Sequence, residues 1–162
     1  MSPFLGVDIL DKSLTDVLKG KVVILGIGNP LRGDDGFGPV LVQRLQGEVP
    51  AVCIDAGTSP ESYLGKIVQE SPDTILIVDA VHLKSKSGDY EILTPSEILA
   101  SGFTTHDISP KLLMDYLHRE IKAEIYMLGI EPERVTLGSE MSEPVKKALN
   151  NVVREVKEAL GA

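Results

Sequence analysis

Short apolar runs rich in β-branched residues alternate with amphipathic stretches along this chain, and that alternation leaves few architectures open. Val22–Ile27 (VVILGI) and Thr74–Val78 (TILIV) are apolar throughout, the pattern of strands buried on both faces of a parallel sheet. Val52–Ile54 and Glu124–Leu128 predict two further strands, and the alternating Asp89–Leu93 an edge strand. Helical spacing fills the gaps. Phe37, Val40, Leu41 and Leu45 mark one helix. Ser59-Pro60 and Ser109-Pro110 each offer a helix start, with Ser as N-cap and Pro at the first helical position. Ser142 is placed to cap a last helix whose Val145, Leu149, Val152, Val156 and Leu160 make one apolar stripe. In the first twenty residues, Ser13 and Asp16 have the spacing of a capping box. The expectation is an α/β fold in three layers: a twisted, mostly parallel sheet of about five strands with helices on both faces. A chain of 162 residues fits one domain, 1–162, with room for a substantial core.

Composition narrows the function classes. Sixteen Lys and Arg against 24 Asp and Glu give a net charge of −8, which disfavours a nucleic-acid partner. With one cysteine, Cys53, and three histidines, the chain cannot make an internal disulfide or a zinc site of the four-cysteine or two-cysteine, two-histidine type. Neither H-E-x-x-H nor G-x-S-x-G occurs. There is no secretory leader pattern and no apolar run of membrane-spanning length, so a cytoplasmic protein without membrane attachment is expected.

In open α/β sheets, ligands bind outside the carboxyl ends of the strands, so the strand exits are where chemistry belongs. The first strand is followed by Gly28-Asn29-Pro30-Leu31-Arg32-Gly33-Asp34-Asp35-Gly36-Phe37-Gly38, the second by Asp55-Ala56-Gly57-Thr58, and the third by Asp79-Ala80. Thr104-Thr105-His106-Asp107 precedes the Ser109 helix. Acidic residues after strands often serve only as caps or turn formers, the plain reading for Asp34 and Asp55. Asp35 and Asp79 fall where the sheet rule places a site, and a loop histidine, His106, could join them. Two carboxylates and an imidazole can bind a divalent metal with open positions, or act as base and orienting group for a water. His82 is a weaker candidate. His118 belongs to a charged helical surface, and Cys53, within a strand, to the core.

The glycine-rich turn is not a nucleotide fingerprint. The sixth position of Gly26-Ile27-Gly28-Asn29-Pro30-Leu31 is not glycine, and no Gly-Lys-Ser/Thr follows. A strand followed by Gly-Asn-Pro also begins the peptidyl-tRNA hydrolases, but those need a basic surface to hold tRNA.

Taken in order, the glycine-rich Asp34-Asp35 turn, Asp55-Ala56-Gly57-Thr58, Val78-Asp79-Ala80 and Thr104-Thr105-His106-Asp107 resemble the nickel–iron hydrogenase maturation endopeptidases, most nearly the hydrogenase-3, formate-hydrogenlyase branch. The resemblance spans roughly residues 21 to 160 and leaves 1–20 as an N-terminal extension; Ala56 departs from a frequent family glycine. It implies a protease that removes a C-terminal extension from the hydrogenase large-subunit precursor once nickel is inserted, by an aspartic-type or metal-assisted hydrolysis. Asp35, Asp79 and His106 match the family's metal-contacting positions and are the expected catalytic and metal-facing residues. Nickel would arrive with the precursor, and no organic cofactor is expected. Asp34, Asp55 and Thr105 could orient the histidine. The alternative on the same fold is a non-catalytic chaperone that binds metal or precursor.

Overall fold

The structure, a computed structural model, describes residues 12–101 and 109–162. Five strands form one sheet: β1 (Val22–Ile27), β2 (Val52–Gly57), β3 (Thr74–Ala80), β4 (Tyr90–Leu93) and β5 (Glu124–Ile130), in the order β2-β1-β3-β5-β4. All neighbours run parallel except β4, which pairs antiparallel with β5 at the edge. The expected α/β sheet is therefore present, with its edge strand where alternation placed it. Three strands run further than their apolar cores: β2 continues through Asp55–Gly57 beside β1, and β3 through Asp79-Ala80 beside β5, which itself continues through Gly129-Ile130, because these residues still pair with their neighbours.

Period-two alternation sorts the sheet into two cores. Val22, Ile24, Leu76, Val78, Leu128 and Ile130 face α1 (Leu14–Val17), α2 (Phe37–Leu45) and α6 (Glu143–Ala159). Val23, Leu25, Ile27, Ile75, Ile77 and Met127 face α3 (Leu64–Glu70), α4 (Pro95–Ser101) and α5 (Pro110–Glu120). The stripe of α6 is buried from Val145 through Val156, as its spacing predicts, while Leu160 lies at the helix end and is only partly buried. Ser13 and Asp16 form the expected capping box of α1.

Three expected caps are made differently. Ser59 leads into a 3-10 turn, Pro60–Tyr63, before α3 begins, and its side chain makes no cap bond. Ser109 and Ser142 occupy N-cap positions without capping through their side chains. Helix α4 was not anticipated, although Thr94-Pro95-Ser96-Glu97 carries its signal. Thr94 N–H donates to Glu97 Oε1 at 2.8 Å and Glu97 N–H to Thr94 Oγ1 at 3.3 Å, a reciprocal capping box.

What positions the site is the fit of α2 against the sheet. A Cβ on Gly38 would lie 2.6 Å from the carbonyl oxygens of both Ile27 and Val78, so only glycine lets the first turn of α2 press onto the ends of β1 and β3. That contact sets the preceding 3-10 turn, Gly33–Gly36, at the exit of β3, where Asp79 follows Val78.

Candidate active site at the carboxyl ends of the strands

Asp34 and Asp35 share the 3-10 turn, and both are buried, at 0% and 1% exposure. Their surroundings differ. The Asp34 carboxylate accepts four hydrogen bonds from a distant stretch of chain. Oδ2 takes Glu133 N–H at 2.8 Å, Arg134 N–H at 3.1 Å and Ser142 Oγ–H at 2.8 Å, and Oδ1 takes Ser142 N–H at 2.7 Å. Asp34 is therefore neither the cap of its own helix nor a free partner for a histidine. It ties the exit of β1 to the segment that leads from β5 into α6. Backbone bonds reinforce the tie, from Gly33 N–H to Ser139 O at 3.1 Å and from Asp34 N–H to Arg134 O at 2.9 Å.

Asp35 points the other way. Its Oδ2 accepts Asn29 N–H at 2.8 Å, and its Oδ1 is buried with no hydrogen-bond partner among the described residues. The arrangement requires Gly28: its φ of 141° suits few other residues, and a side chain there would collide with the Asp35 carbonyl oxygen. A buried carboxylate oxygen without a donor is costly, so such atoms in folded proteins mark ligand or catalytic positions.

Asp79, 1% exposed, lies beside this turn with its Oδ1 accepting Ala80 N–H at 2.8 Å. Asp35 and Asp79 are thus carried to neighbouring strand exits. His106, with Thr104, Thr105 and Asp107, lies outside the described residues. Among the described residues no three His, Cys, Asp or Glu side chains cluster as a metal site.

Asp55 is exposed and, against the cap or turn role expected of it, is a residue of β2 that pairs with Gly26 just before the register shift between β1 and β2. Its Oδ1 accepts Gly57 N–H at 3.0 Å and its Oδ2 accepts Gln43 Nε2–H at 3.3 Å. Cys53 is half-buried rather than fully in the core, and burial pushes its thiol pKa up, which makes it a poor nucleophile at neutral pH. His118 is exposed on α5.

One acid escaped notice in the sequence. Glu131 follows β5 directly and is 8% exposed. Its Oε1 accepts Leu83 N–H at 2.7 Å and Ser85 N–H at 3.2 Å, which fixes the loop leaving β3; its Oε2 lies 3.7 Å from His82 Nδ1. The signal was positional: β5 exits at the same rim as β1 and β3, and its first residue beyond the strand is acidic.

Known proteins resemble the chain in sequence and in fold. The family model for hydrogenase maturation protease matches residues 40–159. The chain belongs to the hydrogenase maturation proteases. It is 34% identical over 137 residues to the hydrogenase 3 maturation protease of Escherichia coli K12, covering 83% of this chain and 87% of that one. The crystal structure of the [NiFe] hydrogenase maturation protease HycI from Thermococcus kodakarensis superposes with a TM-score of 0.84 at 32% identity, covering 92% of this chain and 99% of that one. The hydrogenase maturating endopeptidase HybD from E. coli follows at a TM-score of 0.71 and 25% identity, over 87% and 92% of the two chains. The five-stranded α/β fold and the protease assignment both stand on these matches. Among the described residues, no helix of this protease is long and apolar enough to cross a membrane.

Proposed function

We propose that this maturation protease cuts the C-terminal extension from a nickel–iron hydrogenase large-subunit precursor, and that Asp35, Asp79 and His106 face the nickel carried by that substrate and the bond to be cut. The observation that carries the reading is Asp35 Oδ1, an acidic oxygen buried at a strand exit with no donor among the described residues. Two carboxylates and an imidazole suit a borderline divalent ion, and a set with few nitrogen or sulfur donors binds it weakly enough to read a metal that belongs to another protein. Nickel is then part of the substrate rather than a resident cofactor of the protease.

Hydrolysis needs a water oxygen to bond to the scissile carbonyl carbon while the C–N bond breaks. Asp35 can accept the proton that the water loses and return it to the departing amine. Asp79 adds a second negative charge, holding the metal-bearing end of the precursor in register. The precursor's own nickel can polarise the carbonyl or the water in the same geometry, the metal-assisted version of the step.

The test is the mass of a nickel-loaded precursor before and after exposure to wild type, Asp35→Asn, Asp79→Asn and His106→Ala. Loss of the C-terminal fragment with wild type only is the expected result. Cleavage by all three variants at the wild-type rate removes these residues from the site. Equal cleavage of nickel-free precursor removes nickel recognition. Tight binding without any mass change supports the chaperone alternative.

A further inference from the structure

The large hydrophobic side chains left exposed among the described residues are Leu31 at 68%, Leu112 at 65% and Leu137 at 63%. A single exposed leucine needs no explanation. Their location does. Leu31 lies in the turn after β1, four residues before Asp35, and Leu137 lies in the segment after β5. Leu112 is in the first turn of α5. The far end of that helix borders Asp73 and Glu124 at the amino ends of β3 and β5, so its start lies about 15 Å away, towards the carboxyl ends. All three therefore share the end of the molecule that holds Asp35 and Asp79.

Leu31 and Leu137 are also joined and held. Gly138 N–H donates to Leu31 O at 2.7 Å, and Leu31 N–H donates to Asn29 Oδ1 at 2.9 Å, so both backbone polar groups of Leu31 are bonded. Arg32 Nη1–H reaches Val135 O at 3.3 Å, and Ser139 Oγ–H bonds Thr136 O at 2.6 Å on the other side of Leu137. The Asp34 clamp lies directly beneath. A fixed backbone that presents two leucines to water has already met the ordering cost of an interface, which is how affinity is gained by preorganisation.

We propose that Leu31 and Leu137 form the apolar contact by which the protease holds its precursor, receiving a nonpolar stretch of the hydrogenase large subunit beside the scissile bond. The inference rests on the proposed function, which lays the scissile bond at Asp35, four residues along the chain from Leu31. The occupant is an apolar segment of that precursor, the chemistry that two exposed leucines complement.

The experiment compares steady-state cleavage of nickel-loaded precursor by wild type, Leu31→Ser, Leu137→Ser, the double variant, and Lys122→Ser at the opposite end of the sheet. Exposed sites tolerate these changes, and thermal melts check that they do. The double variant is expected to raise KM roughly tenfold or more, with kcat at saturating precursor kept within about twofold. Lys122→Ser is expected to match wild type. A KM within about twofold of wild type in the double variant overturns the proposal. So does a wild-type dimer, seen by sedimentation, that the double variant dissolves, since the leucines would then serve a second copy of this chain. Calorimetric binding of precursor to Asp35→Asn, with and without the two leucine substitutions, reads the contact independently of cleavage. If Asp35→Asn still cleaves, the catalytic assignment fails while the leucine result stands or falls on its own binding data.

Discussion

Asp34 and Asp35 are adjacent, equally buried and chemically identical, yet they sit in opposite regions. Asp34 is surrounded by donors from residues 133–142, all supplied by backbone N–H groups and one serine hydroxyl. Among the described residues, Asp35 receives one backbone N–H and keeps an oxygen bare. One region is a saturated joint and the other an unsaturated niche, built from the same turn. Burial of an acid therefore says little about its role until its hydrogen bonds are counted.

Breaking the niche should cost activity and leave the fold intact. Asp35→Asn is expected to reduce precursor cleavage by about 10²–10⁴-fold, the usual range for a proton-transferring group, with a melting temperature close to wild type. Single-turnover cleavage and a thermal melt check both halves. Breaking the joint should do the reverse. Asp34→Ala strands three backbone donors and a hydroxyl, and is expected to cost about 3–5 kcal/mol in denaturant unfolding. Cleavage by whatever fraction stays folded should fall less than in Asp35→Asn.

Smaller changes sharpen the contrast. Ser142→Ala removes one bond to Asp34 Oδ2 and leaves the Ser142 N–H bond to Oδ1 in place, so a loss of about 1 kcal/mol is expected. Asp55→Ala touches an exposed residue near the end of β2, at the same rim. It should change stability by less than about 0.5 kcal/mol and leave cleavage within twofold, as urea melts and the same cleavage assay would show. A large effect of Asp55→Ala would mean that acids at this rim act collectively and that the division drawn between Asp34 and Asp35 is too sharp.

The centre of the sheet was legible because β1 and β3 are buried on both faces. Val22–Ile27 needed no partner to be recognised, and its predicted bounds match the strand itself. Asp79 was legible as a strand exit but not as a strand residue, since pairing with Gly129 is a property of the neighbour rather than of the local sequence. The roles of Asp34 and Asp35 were not separable in the sequence. Their difference comes from residues about a hundred positions away, and no local spacing encodes which carboxylate Ser142 will reach. Glu131 was missed for a related reason: its importance lies in the amides of Leu83 and Ser85 that it gathers. Helix α4 was missed despite a local signal, the Thr94–Glu97 capping box, because only a few residues follow it.

The Asp34 joint has a consequence for the timing of biosynthesis. The donors that secure the turn belong to residues 133–142, about a hundred positions after the turn itself. During translation, the turn bearing Asp35 leaves the ribosome about a hundred residues before the segment it locks against. The protease therefore cannot secure this turn until residues 133–142 have been made, so the order of synthesis sets when the two halves of the joint can meet.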